Sequence, residues 1–136
     1  MIYITRKFHF SASHRLYKAG LSEEENEQLF GKCSNPNGHG HNYNLEITIA
    51  GKIDPETGFV LDLKELKDLV NTKIIEEVDH KNLNLDVSFL KEVIPSTENI
   101  AVQFWNILKE KIDNPHRSLY SVKIHETENN SVEYKG

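Results

Sequence analysis

Gly38-His39-Gly40-His41-Asn42-Tyr43-Asn44-Leu45-Glu46-Ile47-Thr48-Ile49-Ala50 is the stretch whose pattern decides the fold. From Tyr43 to Ala50 the residues Tyr43, Leu45, Ile47 and Ile49 alternate with Asn44, Glu46 and Thr48, the period of a strand with one face buried and the other wet. Upstream, Met1 to Phe10 reads as extended too, with Ile2, Ile4, Phe8 and Phe10 on one parity. Between the two, the acidic run Ser22 to Phe30 predicts a short helix that Gly31 stops in a left-handed conformation. Downstream, Asp54-Pro55-Glu56-Thr57-Gly58 is a turn by composition. Asp62 then caps a helix, with Glu65 completing a capping box and Leu63, Leu66, Leu69, Val70 and Ile74 as the apolar stripe. A second helix starts at Ser96 or Thr97, behind Pro95. It carries Ala101, Phe104, Trp105, Leu108 and Ile112 inward and ends at Asp113-Asn114-Pro115. Tyr120 to Thr127 and Ser131 to Lys135 read as a closing hairpin turning at Asn129-Asn130, with Val122 and Ile124 on one face.

With the short acidic helix set aside, the order is strand, strand, helix, helix, strand, strand. Hairpin-joined strands with helices grouped in the middle predict an α+β fold: a four-stranded antiparallel sheet with two helices on one face. Such a sheet has two open edges, and pairing with other subunits is a common way to cover them. The 136 residues fit one domain spanning 1–136, with no internal repeat or linker. A net charge of −5 argues against nucleic acid as the partner, and no apolar run has the length of a bilayer span. The N-terminal residues lack the layout of a signal peptide, and the single cysteine, Cys33, excludes an internal disulfide. Both features point to the cytoplasm.

Seven histidines are many for so short a chain. His39 and His41 are two residues apart, and in an extended segment such residues point to one side. Two imidazoles on one side can share a metal ion, and Gly38 and Gly40 keep the surroundings uncrowded. His14, at the end of the first strand, is the best third ligand, and three histidines with an open position is the pattern of catalytic zinc. On pattern alone the pair is equally compatible with exposed loop histidines. Cys33 lies in the loop Gly31-Lys32-Cys33-Ser34-Asn35-Pro36-Asn37-Gly38, where a thiolate near a cation can act as base or nucleophile and a neutral thiol is a small apolar filler. Asp79-His80 sits at the end of the first long helix, where catalytic groups are often held. Glu126 shares the parity of Val122 and Ile124. It faces either inward, toward a hydrogen-bond donor, or outward into water.

Five segments together resemble the 6-pyruvoyltetrahydropterin synthase family. They are Phe10-Ser11-Ala12-Ser13-His14-Arg15-Leu16, the run from Phe30 to Tyr43, Val78-Asp79-His80-Lys81-Asn82-Leu83, Ser96-Thr97-Glu98-Asn99, and His125-Glu126-Thr127-Glu128-Asn129-Asn130. The run around His39 is the most specific of them. The resemblance implies the tunnelling fold, in which trimers close a continuous barrel and two trimers stack into a homohexamer. It implies Zn2+ held by His14, His39 and His41, and Cys33 as general base. Asp79 and His80 would complete a relay from a neighbouring subunit, and Glu126, Thr97 and Glu98 would bind the pterin. The implied substrate is 7,8-dihydroneopterin triphosphate, converted without a redox cofactor to 6-pyruvoyltetrahydropterin and triphosphate, a step of tetrahydrobiopterin biosynthesis. Arg15, Lys18, Lys32 and Lys81 are candidates to meet the phosphates. A sister enzyme, 6-carboxytetrahydropterin synthase of the queuosine route, takes the same substrate and releases acetaldehyde; its members commonly have a shorter gap between the cysteine and the histidine pair. The insert Asn35-Pro36-Asn37-Gly38 favours the pyruvoyl type. Retention of Cys33, Asp79 and His80 together argues against a pterin-binding oligomer without turnover.

Overall fold

The alternation at Tyr43–Ala50 is the middle of a longer strand. In the computed structural model, which describes residues 1–136, the chain forms β1 (Ile2–His14), α1 (Glu23–Phe30) and β2 (His39–Gly51), then α2 (Leu63–Val70) and β3 (Lys81–Asn82). It closes with α3 (Thr97–Ile112), β4 (Arg117–His125) and β5 (Ser131–Tyr134). β1 pairs with β2 antiparallel over its whole length, from Ile2 opposite Gly51 to His14 opposite His39. β2 pairs with β4 and β4 with β5, both antiparallel. The four expected strands are therefore present, and a fifth joins them. β3 lies parallel to the end of β1, with Ala12 opposite Lys81 and Ser13 opposite Asn82, so the order is β3-β1-β2-β4-β5. Two residues carry no periodicity, which is why the sequence gives no sign of this strand.

Parity sorts the sheet into two faces. Phe8, Phe10, Ala12 and His14 of β1, and Tyr43, Leu45, Ile47 and Ile49 of β2, are buried on the same face. Leu119, Val122 and Ile124 of β4 join the same core. Against it α3 packs Ile100, Ala101, Phe104, Trp105, Leu108 and Ile112, all buried. Phe10 stacks on Tyr43 at 4.7 Å between ring centroids and meets Phe104 edge-on, which fixes the helix against the strands immediately below the histidines.

The first long helix departs from expectation in an instructive way. Its buried residues are Leu66, Val70, Ile74 and Val78, each four positions on, whereas Leu63 is exposed. An ideal α-helix turns about 100° per residue, so a strict four-residue repeat drifts about 40° at each step. After Val70 the backbone widens into a π turn over Asn71–Ile75 before ending as Glu76–Val78, which takes up that drift and keeps the four side chains on one face. Asp62 caps this helix through the Lys64 amide, without the reciprocal Glu65 contact of a capping box. The full box forms at α1, between Ser22 and Glu25. Ser96 caps α3 through the Asn99 amide.

Candidate active site

The β1–β2 register assembles the centre. His14 stands opposite His39 and Ala12 opposite His41. All three imidazoles therefore rise from the core face at the end of the strand pair where the segment 15–38 connects β1 to β2. Gly38 makes the entry into β2 possible. Its φ is +71°, and a Cβ there would stand 2.9 Å from the His14 carbonyl oxygen. One ligand-capable nitrogen from each of His14, His39 and His41 lies within 4.8 Å of the others, and no further His, Cys, Asp or Glu joins the group.

Protonation follows from the partners. His14 Nδ1 lies 2.8 Å from the Pro95 carbonyl, which can only accept, so Nδ1 carries the proton. The lone pair is left on Nε2, which points to His39 Nε2 at 3.0 Å. His41 Nε2 is buried without a hydrogen-bond partner; the nearest carboxylate oxygen, Glu126 Oε1, is 3.8 Å away, too far for a hydrogen bond. Burial pushes His14 below the usual histidine range, against the raising effect of the Pro95 carbonyl, and neighbouring His39 and His41 push the same way as burial. Burial likewise lowers His41, with Glu126 opposing. Three ring nitrogens gathered within 4.8 Å of one another, with the His14 Nε2 lone pair among them and the buried His41 Nε2 orphaned, fit a divalent metal ion. Tyr43, buried beneath them, has its phenol pushed up by burial and stays protonated.

Beside the histidines lies a cleft of about 560 Å³ lined by Leu16, Thr97, Glu98, Glu126 and the Asn129–Val132 segment, among others. Glu126 faces inward, as its parity allows: Thr97 Oγ1 donates to its Oε2 while Oε1 is turned toward His41. Glu98 is at the cleft wall with its side chain exposed. Thr97, Glu98, Glu126 and the three histidines thus form one continuous region.

The other two candidates are not members of the histidine cluster. Cys33 is partly exposed in a single 3-10 turn, Gly31–Ser34, where a plain loop is expected from composition. Asp79 and His80 occupy the turn before β3 on the outer side of β1. Asp79 Oδ1 accepts from the Ser11 amide at 2.9 Å, and Oδ2 meets His80 Nδ1 at 3.0 Å. The Ser11 hydrogen bond, reinforced by His80, holds the Asp79 carboxyl below the usual carboxylate range. His80 has φ +60°, and its side chain is 82% exposed. A positive φ is uncommon for a non-glycine residue, and the Asp79–His80 pair makes no hydrogen bond or ion pair with any of the three histidines.

A family model described as 6-pyruvoyl tetrahydropterin synthase matches residues 3–136. The chain belongs to this family. A 6-pyruvoyl tetrahydrobiopterin synthase of Pongo abelii is 52% identical over 133 residues, which cover 98% of this chain and 90% of that one. The structure of the Caenorhabditis elegans 6-pyruvoyl tetrahydropterin synthase superimposes with a TM-score of 0.91 at 43% identity, covering 99% and 95% of the two chains; the fold is the tunnelling fold of the family. A putative 6-carboxy-5,6,7,8-tetrahydropterin synthase of Archaeoglobus fulgidus is more distant, at 35% identity over 97 residues, 71% of this chain and 75% of that one.

Some parts of the candidate site escape sequence reading. The Pro95 carbonyl that sets the His14 tautomer, and the Ser11 amide that fixes Asp79, are main-chain groups without side-chain signature. Asn129 and Asn130, read as a turn and as the end of a resembling segment, also line the cleft with Thr97.

Proposed function

We propose that the chain is a single-domain, zinc-dependent lyase that converts 7,8-dihydroneopterin triphosphate to 6-pyruvoyltetrahydropterin with loss of triphosphate. The observation that carries this reading is the convergence of three imidazoles beside a cleft walled by Glu126, whose Oε1 turns toward His41. Three nitrogen donors with room for a further ligand suit catalytic zinc over a structural site. When bound, zinc acts as a Lewis acid toward side-chain oxygens of the substrate and so acidifies the adjacent C–H bonds. His14, kept in the Nδ1–H tautomer by Pro95, and His39 and His41 hold it.

Glu126, oriented by Thr97, takes the paired donors of the pterin, its amino group and ring N–H, on its two oxygens. Glu98 assists from the cleft wall. Cys33 removes the proton from the side chain of the substrate, and the Asp79–His80 pair carries protons onward. That pair faces outward from its own β1 edge, which suits a relay presented to the site of a neighbouring subunit. The open edges support the same assembly: along β1 only Ala12 and Ser13 carry an outer partner, and β5 has none. Ile53 and Phe59, 52% and 54% exposed in the isolated chain, are additional apolar surface for contacts. A homohexamer of two stacked trimers satisfies these features. The enzyme works in the cytoplasm, where a lone thiol stays reduced.

Product analysis tests the reading. Zinc-loaded protein given 7,8-dihydroneopterin triphosphate is expected to release 6-pyruvoyltetrahydropterin and triphosphate, identified by chromatography with mass detection. Stoichiometric acetaldehyde would instead make it a 6-carboxytetrahydropterin synthase. Binding of the substrate without any product would make it a pterin-binding oligomer.

A further inference from the structure

The residues that follow His14 close onto the turn that carries Cys33. The Leu16 amide donates to the Cys33 carbonyl at 2.8 Å, and Arg15 Nε–H donates to the Ser34 carbonyl, also at 2.8 Å. The turn is closed on itself by the Ser34 hydroxyl, which donates to the Gly31 carbonyl at 2.8 Å. With two consecutive carbonyls held from outside and the turn locked from within, the Cα–Cβ direction of Cys33 is set, and only its χ1 rotation remains.

Arg15 is itself gripped. Asn84 Oδ1 accepts from the Arg15 amide at 2.7 Å, while Asn84 Nδ2 donates to the Arg15 carbonyl at 2.8 Å. One side-chain amide thus holds both main-chain groups of one residue, as a neighbouring strand would. The guanidinium lies 4.2 Å from the centroid of the Tyr17 ring, which fixes its plane. Asn84 is anchored in turn: its amide donates to Asn82 Oδ1 at 2.9 Å, and the Leu83 amide to the Ser13 carbonyl at 2.8 Å. Hydrogen bonds therefore run unbroken from the segment after Asp79-His80, through Asn84 and Arg15, to the turn of Cys33.

We infer that Arg15, held by Asn84, is a positioning residue for Cys33, setting where its sulfur meets the substrate. This rests on Cys33 being the base. The competing role for Arg15 is a cation for the triphosphate. Arg15→Lys separates the two, because lysine keeps the charge and loses the Nε–H donor midway along the side chain.

The test uses full-length, zinc-loaded Arg15→Lys, Asn84→Ala, the double variant and Cys33→Ala, with 7,8-dihydroneopterin triphosphate as substrate and hydrogen exchange of the Leu16 amide as an independent readout. Positioning predicts a kcat lower by about ten- to a hundred-fold in Arg15→Lys and in Asn84→Ala, the cost of a misplacement on the order of 1 Å. It predicts KM within about two-fold, unchanged zinc content, faster Leu16 exchange, and a double variant no slower than the worse single one, because both act through one path. An Arg15→Lys enzyme with kcat retained, whatever its KM, would overturn the proposal and leave Arg15 as a phosphate cation, and additive losses in kcat would overturn it too. An inactive Cys33→Ala beside an unaffected Arg15→Lys removes the positioning role alone. A fully active Cys33→Ala removes the base assignment and the proposal with it. Should Arg15→Lys not fold, Asn84→Ala, which leaves every charge in place, carries the same kcat and exchange predictions by itself.

Discussion

His41 Nε2 is buried with no partner, and an orphaned buried nitrogen costs about 1–3 kcal/mol unless something meets it. His14 presents its lone pair to the same point because Pro95 holds the opposite nitrogen. Removing one of the three donors leaves two, which is too few for tight binding. His39→Ala is therefore expected to lose stoichiometric metal while keeping its fold, read by metal analysis of the purified protein alongside circular dichroism. Full metal retention would take His39 out of the ligand set. Glu126 belongs to the same scale. Hydrogen bonds to a charged group contribute about 1.5–3 kcal/mol, so Glu126→Ala should weaken pterin binding by about ten- to a hundred-fold in a calorimetric titration. Unaltered affinity would return Glu126 to a solvated role.

At the scale of the element, the β1–β2 hairpin is the device that brings His14 to the other two histidines, and Gly38 is where it can be broken. Gly38→Ala places a side chain at φ +71° and pushes its Cβ to 2.9 Å from the His14 carbonyl oxygen. The left-handed conformation alone costs about 1–2 kcal/mol, and main chain cannot yield as a flexible side chain can. The expected result is a lower melting temperature together with weaker metal binding, since the shift acts on the main chain of a ligand. The cap of α3 should behave differently. Ser96→Ala removes the acceptor of the Asn99 amide and should lower stability by about 1 kcal/mol, measured by urea unfolding, with metal content intact.

At the scale of the whole molecule, a largely open edge at β1, a fully open one at β5 and an outward-facing Asp79–His80 pair lead to an assembly prediction. Light scattering at micromolar concentration should report a species several times heavier than 15.7 kDa. A monomer would defeat both the hexamer and the shared site. Acid stability follows from Asp79, whose carboxyl is held low by the Ser11 amide and then by His80. A carboxyl with a depressed folded-state pKa binds fewer protons folded than unfolded. Its contribution is present above the ordinary carboxylate range, near pH 4, and is lost as pH falls through that range and below. Melting temperatures of the wild type between pH 6 and pH 3 should therefore fall more steeply than those of Asp79→Asn; parallel curves would show that Asp79 has no such linkage.

Alternation at Tyr43–Ala50, the stripe of Ala101, Phe104, Trp105, Leu108 and Ile112, and the His-Gly-His spacing were enough to determine an α+β sheet with helices on one face and a candidate metal pair. Such signals are local, because side-chain direction repeats with the period of the backbone. Three matters were decided only in three dimensions. β3 forms because the turn at His80 brings two residues beside the end of β1. The π turn appears because Leu66, Val70, Ile74 and Val78 must all face one sheet. The orientation of Glu126, left open by parity, is decided by Thr97, 29 positions earlier in the chain. Each depends on a partner distant in sequence, and a pattern read along one segment holds no information about the group that packing will set opposite it.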